Sequence, residues 1–274
     1  MEACVHPSSV VESGARLGRD VVVGPFCVVG AQTELGEGVE LASHAIVTGA
    51  TRIGPGTRIF SFACVGSSAQ DLKAVGEAGS LSIGSDCIIR EGVTVNVGTP
   101  GGGSETRIGN RCALLAYSHV AHDCRLGDGV VLSNNVLLGG HAEIGDHVMI
   151  GGASAVHQHA RIGAHAFVAA MSGVEGDVAP FMLAAGNRAH LFGLNLVGLQ
   201  RRGFSPERIS RLKAAYRLLF GRRETGEAAS LAERIETLAD LHEGNEDIGL
   251  LVDFLRPASN RPLCAPRAGA IASR

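Results

Sequence analysis

The chain is 274 residues long with a net charge of −3, enough for one large domain, alone or with a small one. That charge argues against a general nucleic-acid binder, and no run of about 18 apolar residues offers a membrane span. With 38 Gly against 9 Phe, 2 Tyr and no Trp, small residues and branched aliphatics must form the interior.

The N-terminus, Met-Glu-Ala-Cys-Val-His-Pro, has neither the basic region nor the apolar stretch of a signal peptide. The seven cysteines are scattered without a CxxC pair, which points to reduced, buried thiols in a cytosolic protein rather than disulfides or structural zinc.

From Val5 a branched aliphatic recurs every sixth residue: Val11, Leu17, Val23, Val29, Leu35, Leu41, Val47, Ile53, Ile59 and Val65. Four residues after each stands a small or β-branched residue, among them Ser9, Cys27, Thr33, Ala45, Thr57 and Ala63. The frame returns at Ile83, Ile89 and Val95, and again without interruption from Ile108 to Val174. A helix repeats its apolar face every 3.6 residues, so a sustained period of six excludes one. It is the hexapeptide signature of a parallel β-helix. Three hexads make a triangular coil of about 18 residues, and coils stack about 4.8 Å apart. The aliphatic points inward, and small residues fit the corners.

Two breaks in the frame predict loops thrown out from the prism, 66–82 and 96–107. The first carries Gln70-Asp71-Leu72-Lys73 among small residues, and loops on a rigid scaffold are where function concentrates. The prism is expected to span 1–190 and a helical domain 191–256. Ser205-Pro206-Glu207 predicts a helix start, with Ile209, Leu212, Ala215, Tyr216 and Leu219 on one apolar face. Further helices are predicted over 231–241 and 246–255. The Pro- and Ala-rich stretch 257–274 is expected to be a loose, flexible tail.

Histidines concentrate in one part of the frame. Val120 points in, so His119 points out, and His122 lies near a corner. His141 and His159 follow about one and two coils later, so these side chains can form a ladder up one edge. One chemistry for such a cluster is a metal held by imidazoles from adjacent coils. The other is a neutral imidazole taking a proton from a hydroxyl. His122-Asp123 adjacency suits the second only weakly, because neighbouring residues often face apart.

Five ordered motifs carry a resemblance: Gln70-Asp-Leu-Lys73, Ser118-His-Val-Ala-His-Asp-Cys124, Gly139-Gly-His141, Val156-His-Gln158, and Phe192-Gly-Leu-Asn195 with Arg201-Arg-Gly-Phe204. From Val5 to Phe220 the chain resembles the UDP-N-acetylglucosamine O-acyltransferases, which begin lipid A synthesis. The resemblance implies a left-handed coil, an exception to the usual crossover hand. It implies homotrimers with active sites between neighbouring prisms, no cofactor and no metal. The reaction implied is transfer of an (R)-3-hydroxyacyl chain from acyl carrier protein to the 3-hydroxyl of UDP-N-acetylglucosamine. By motif position His122 is the general base, and Gly140 gives a backbone N–H to the oxyanion, a donor of a kind worth about 3 kcal/mol. Gln70, Asp71, Lys73, His119 and His141 hold the sugar or the acyl group. His157, Gln158, Asn195, Arg201 and Arg202 face the nucleotide, and Ala170 sits where chain length is limited. Between Arg201 and Arg223 stand seven Arg and one Lys against Glu207 alone, which suits a partner as acidic as acyl carrier protein.

Departures from the family pattern are Asn96 in place of a histidine, Val197 in place of an acidic residue, and His159 in place of an aromatic. They leave open a 3-amino sugar nucleotide as acceptor. A related N-acyltransferase carries an extra N-terminal domain before its hexads, whereas hexads here begin at Val5. A carbonic anhydrase-like protein needs three imidazoles on one metal. A non-catalytic scaffold has no need of a base at His122.

Overall fold

Each hexad folds as a strand of about two residues and a turn, and strands one coil apart pair in parallel. The computed structural model describes residues 2–73, 79–221, 229–241 and 244–267. Among these the strands form three sheets of 11, 9 and 8 members, the faces of a triangular prism. The first face contains Val22–Val23, the second Val28–Val29 and the third Glu34–Leu35. On the first face the register stacks Val23 on Leu41, Ile59, Ile89, Leu114, Leu132, Ile150 and Val168 in one column. All are buried. Val5 is exposed and Val11 and Leu17 are half-buried, because the lowest coil has no coil beneath it.

The second hexad position also points inward. Cys27, Thr33, Thr57, Cys87, Cys112, Cys124 and Ser154 are buried there, and each donates to a carbonyl of the coil above. Thr57 donates to Gly84 O at 3.0 Å, Cys124 to Gly139 O at 3.2 Å and Ser154 to Ala169 O at 3.0 Å. A carbonyl at a buried corner lacks a strand partner, and a short hydroxyl or thiol supplies one, worth about 1 kcal/mol net. This explains much of the cysteine content, and all seven thiols are free.

The turns impose a second rule. Three residues after the inward aliphatic the backbone is left-handed, with φ of 57–61° at Asp86, Asp123, Asn135, His141, His147, His159 and His165. Asp, Asn and His tolerate this region better than other non-glycine residues. Corner histidines are thus a consequence of the coil before they are anything else.

The two loops leave the prism after Val65 and Val95, both from the edge that follows the second face. They are shorter than the breaks in the frame. Ser80–Ile83 is a strand in register with Ala50–Ile53 and with Glu105–Ile108, holding Leu81 and Thr106 inside, so the excursions are 68–79 and 97–104. Residues 74–78 lie outside the described residues.

Above the last coil, Met182–Ala185 pairs with Phe167–Val168 and turns back antiparallel onto His190–Leu194. Four helices follow among the described residues: α1 Leu196–Arg201, α2 Pro206–Phe220, α3 Leu231–Leu241 and α4 Glu246–Leu255. Asn195, Ser205 and Asn245 accept from the backbone as N-caps. Ile209, Leu212, Ala215 and Leu219 form the buried face of α2, with Tyr216 half-buried at its margin. No helix is long and apolar enough to cross a membrane among the described residues.

The expectation of a loose tail from residue 257 is corrected for its first part. Asp177 N donates to Pro262 O and Cys264 N returns the bond to Asp177 O, both at 2.8 Å; Leu191 N donates to Ala265 O at 3.1 Å. Cys264 is buried. These backbone bonds outweigh a composition that reads as disordered. Residues 268–274 lie outside the described residues.

The left-handed corner is testable at Asp86, which is exposed on a turn. Asp86→Val should cost about 1–2 kcal/mol and Asp86→Gly almost nothing, measured as urea midpoints at fixed protein concentration. Equal midpoints for the two variants would contradict the backbone argument.

Candidate active site

His122 follows the inward Val120 by two residues, on the edge from which both loops emerge. Its neighbour Asp123 occupies the left-handed corner, with φ of 60°. That twist turns the carboxylate back, and Asp123 Oδ2 meets His122 Nδ1 at 2.8 Å. The weak signal of adjacency is therefore a real contact, made by the turn rather than by chance. Asp123 is buried, and its carboxylate is fully engaged. Thr99 N donates to Oδ1 at 3.0 Å and Thr99 Oγ1 to Oδ2 at 2.6 Å. Its backbone N–H donates to Thr106 Oγ1 at 2.8 Å. Burial alone would raise the Asp123 pKa, but the hydrogen bonds from Thr99 and His122 outweigh it and hold the carboxyl below its usual range. A carboxylate at Nδ1 fixes the tautomer that leaves Nε2 free to accept a proton.

Above this pair the ladder forms as expected. The His141 ring meets His122 edge-on at 5.2 Å and His159 face-on at 4.4 Å. Burial lowers the His141 pKa, partly offset by Asp123. His119 also comes to this site, its Nδ1 2.7 Å from Thr94 Oγ1 and its pKa lowered by burial. Beside the ladder lies a cleft of about 310 Å³ lined by Gln70, His119, His122, Leu137, Gly140 and Gln158 among others. Gly140 is required by space: a Cβ there would lie 2.6–2.7 Å from ring atoms of His122. Its N–H donates to no described residue. A larger groove of about 970 Å³ runs along the third face over Gly84, Gly109 and Gly127. Arginines and carboxylates alternate on it, and no candidate base lines it.

The metal reading loses ground. Donor atoms of His122, Asp123 and His141 lie within 4.8 Å of one another, but this is two imidazoles, not three, and both Asp123 oxygens already accept hydrogen bonds. His159 offers its ring face to His141.

Of the other expected residues, Asp71 lies near enough to the ladder for its charge to act on His141, and the rest fall elsewhere within one chain. Asp71 Oδ1 accepts from Lys73 N at 2.9 Å, and the Lys73 side chain is exposed. His157 is exposed one residue before Gln158. His147 stands on a different edge from His122, with His165. Asn195, Arg201 and Arg202 gather at that second edge: Asn195 Nδ2 donates to His165 O at 3.0 Å and Arg202 Nη2 to His147 O at 3.0 Å. His165 stacks on Phe181 and meets Phe204 edge-on. Ala170 lies on the third edge, before the exposed Met171. Asn96, which departs from the family histidine, is buried and ties the first loop down through Ser68 O at 2.9 Å. Sequence reasoning missed Thr94, Thr99 and Thr106. Their signal was faint: Thr99 lies in the Gly-rich second loop, beside Pro100 and Gly101-Gly-Gly103.

The family model described as UDP N-acetylglucosamine O-acyltransferase, Domain 2, matches residues 177–264, and the bacterial transferase hexapeptide model matches 14–49 and 105–140. The chain is 54% identical over 263 residues to the acyl-[acyl-carrier-protein]--UDP-N-acetylglucosamine O-acyltransferase of Methylobacterium radiotolerans, covering 96% of this chain and 95% of that one. It is 49% identical to the enzyme of the same name from Alkalilimnicola ehrlichii, covering 94% and 97%. The crystal structure of UDP-N-acetylglucosamine O-acyltransferase from Moraxella catarrhalis superposes with a TM-score of 0.88 at 40% identity, covering 94% and 98%. The fold is a left-handed parallel β-helix with a helical C-terminus.

The second histidine cluster has a pH signature. Burial pushes His165 down to about 4 from 6.5. Its folded pKa lies below the unfolded one, so its contribution to stability is complete above pH 6.5 and lost as pH falls through about 4. The slope is at most about 1.4 kcal/mol per pH unit, reduced by partial exposure. His165→Phe keeps a ring between Phe181 and Phe204, and Tm should then fall less steeply between pH 6.5 and 4 than in the parent. Identical slopes would place the proton elsewhere.

Proposed function

Because the chain belongs to the UDP-N-acetylglucosamine O-acyltransferase family, we propose that it moves an (R)-3-hydroxyacyl chain from acyl carrier protein to the 3-hydroxyl of UDP-N-acetylglucosamine, the first step of lipid A synthesis, with His122 as general base. The observation that carries the assignment of the base is the His122 Nδ1–Asp123 contact of 2.8 Å at the wall of the cleft. Nε2 of His122 takes the proton of the sugar hydroxyl as its oxygen attacks the thioester carbonyl. The resulting oxyanion is stabilised by the Gly140 N–H, which has no acceptor among the described residues. Collapse breaks the C–S bond, and the imidazolium returns its proton to the departing thiolate of the carrier. Asp123 stabilises the imidazolium between the two transfers.

A homotrimer completes the site. Phe26, Phe62, Tyr117 and Met171 stand at corner positions of one edge and are 59%, 67%, 65% and 76% exposed. His44 fits between Phe26 and Phe62, with ring centroids about 5 Å apart on each side. An apolar column this long belongs against other copies. With that edge on a threefold axis, the His122 edge of one prism meets the Asn195–Arg202 edge of the next. Residues that are far apart within one chain then converge on one nucleotide, Asn195, Arg201 and Arg202 from one protomer and His157 and Gln158 from the other. Gln70, Asp71, Lys73, His119 and His141 serve the sugar and acyl group. Exposed Arg211, Lys213 and Arg217 on α2 suit an acidic carrier protein; Arg222 and Arg223 lie outside the described residues. Free thiols throughout fit a cytosolic location.

The relatives' names specify O-acylation, so a hydroxyl acceptor is the reading kept over the 3-amino sugar. His122→Ala should retain the trimer by light scattering and lose at least about a hundredfold in acyl transfer to UDP-N-acetylglucosamine; normal turnover would remove His122 as base. Ala170 narrows the acyl channel relative to glycine. Ala170→Gly should move the optimum toward longer chains in an assay with acyl carrier proteins of graded length, and an unchanged optimum would exclude Ala170 as the limit.

A further inference from the structure

The second loop does more than leave the prism. Thr99 is 7% exposed, and it binds both oxygens of Asp123 through its amide and its hydroxyl. It is itself held from the far side of the loop, where its carbonyl accepts from Gly102 N and Ser104 N, both at 3.0 Å. Gly102 closes against the same group: a Cβ there would lie 2.2 Å from Asp123 Oδ2 and 2.5 Å from His141 Cε1. The loop 97–104 is thus folded over Asp123, with the Thr99 hydroxyl aimed at the oxygen that His122 uses.

We infer that Thr99 is a positioning residue for the His122 base, acting through Asp123 and forming with them a relay of hydroxyl, carboxylate and imidazole. This rests on the reading of His122 as base. Its two bonds fix the plane of the carboxylate, and the carboxylate fixes the ring. The hydroxyl also draws charge from Oδ2, so the imidazole of His122 faces a weaker negative partner than a bare carboxylate would present.

Thr99→Val keeps the shape and the backbone bond but loses the hydroxyl. With Oδ2 bonded to His122 alone, the imidazolium is favoured. The acid limb of the kcat/KM profile should move to higher pH, and kcat should fall about tenfold with KM for the sugar nucleotide little changed. Thr99→Ser restores the hydroxyl and should restore both. The same shift should appear without turnover, as the His122 titration followed by NMR, with His122→Ala identifying the resonance. If the parent is active, His122→Ala is inactive, and Thr99→Val keeps the parent profile and titration, the relay is wrong while the base stands. If Thr99→Val and Thr99→Ser lose equally, or if Thr99→Val lowers the rate with no pH shift, the residue is structural and the relay is again wrong. An active His122→Ala overturns the base reading instead.

Discussion

The whole molecule depends on the corner that each coil must turn within a few residues. At most corners a flat strand of two residues continues into the next face through one residue with a left-handed backbone. Repeated three times per coil, that turn stacks like positions above one another, one coil apart. It fixes what is inside, since the aliphatic and the small residue of each hexad both point to the axis. It also fixes what meets outside. Asp123, His141 and His159 share a column because all three are corner residues of one edge.

Catalytic geometry follows from the same turn. In an ordinary strand His122 and Asp123 would face opposite sides of the sheet. The left-handed φ at Asp123 redirects its side chain, so consecutive residues become an imidazole and its orienting carboxylate, the pair proposed as the catalytic base. Burial then makes the arrangement demanding. A carboxylate as enclosed as Asp123 is tolerable as an anion because three hydrogen bonds, from Thr99 twice and from His122, satisfy it. Gly102 and Gly140 serve close approach here, one bringing the loop onto the carboxylate and the other making room for the ring.

Periodicity made the prism legible, down to which aliphatic faces in, because a repeat of six has one structural solution. Helix starts at Ser205 and Asn245 were legible or nearly so, since capping is local chemistry. The site was legible only in part. The His122–His141–His159 ladder follows from counting coils, whereas His147 occupies a different corner of the coil. Thr99 and Thr106 reach Asp123 across 24 and 17 residues, and no local pattern announces such contacts. The stretch after Pro257 misled for a related reason: its composition is that of a tail, while its backbone bonds to Asp177 and Leu191 are tertiary.

Placement of the remaining substrate residues argues for assembly as part of the chemistry. A rigid prism cannot bend to wrap a nucleotide, and its corners diverge, so one chain holds its base on one edge and its arginines on another. Closing the gap by conformational change would break stacked coils whose interior bonds support one another. In the proposed trimer, packing three copies about the apolar edge closes it with no change of shape. The proposed base is then preorganised by the turn and the loop within one protomer, and the proposed phosphate ligands by α1 and the His165 cluster of its neighbour. Each half is stiff on its own, so the entropy of ordering is met in folding and association rather than at each turnover. In the proposed assembly a fold with almost no aromatic core spends several of its few aromatics where copies would meet, because that contact, more than the interior, would complete the site.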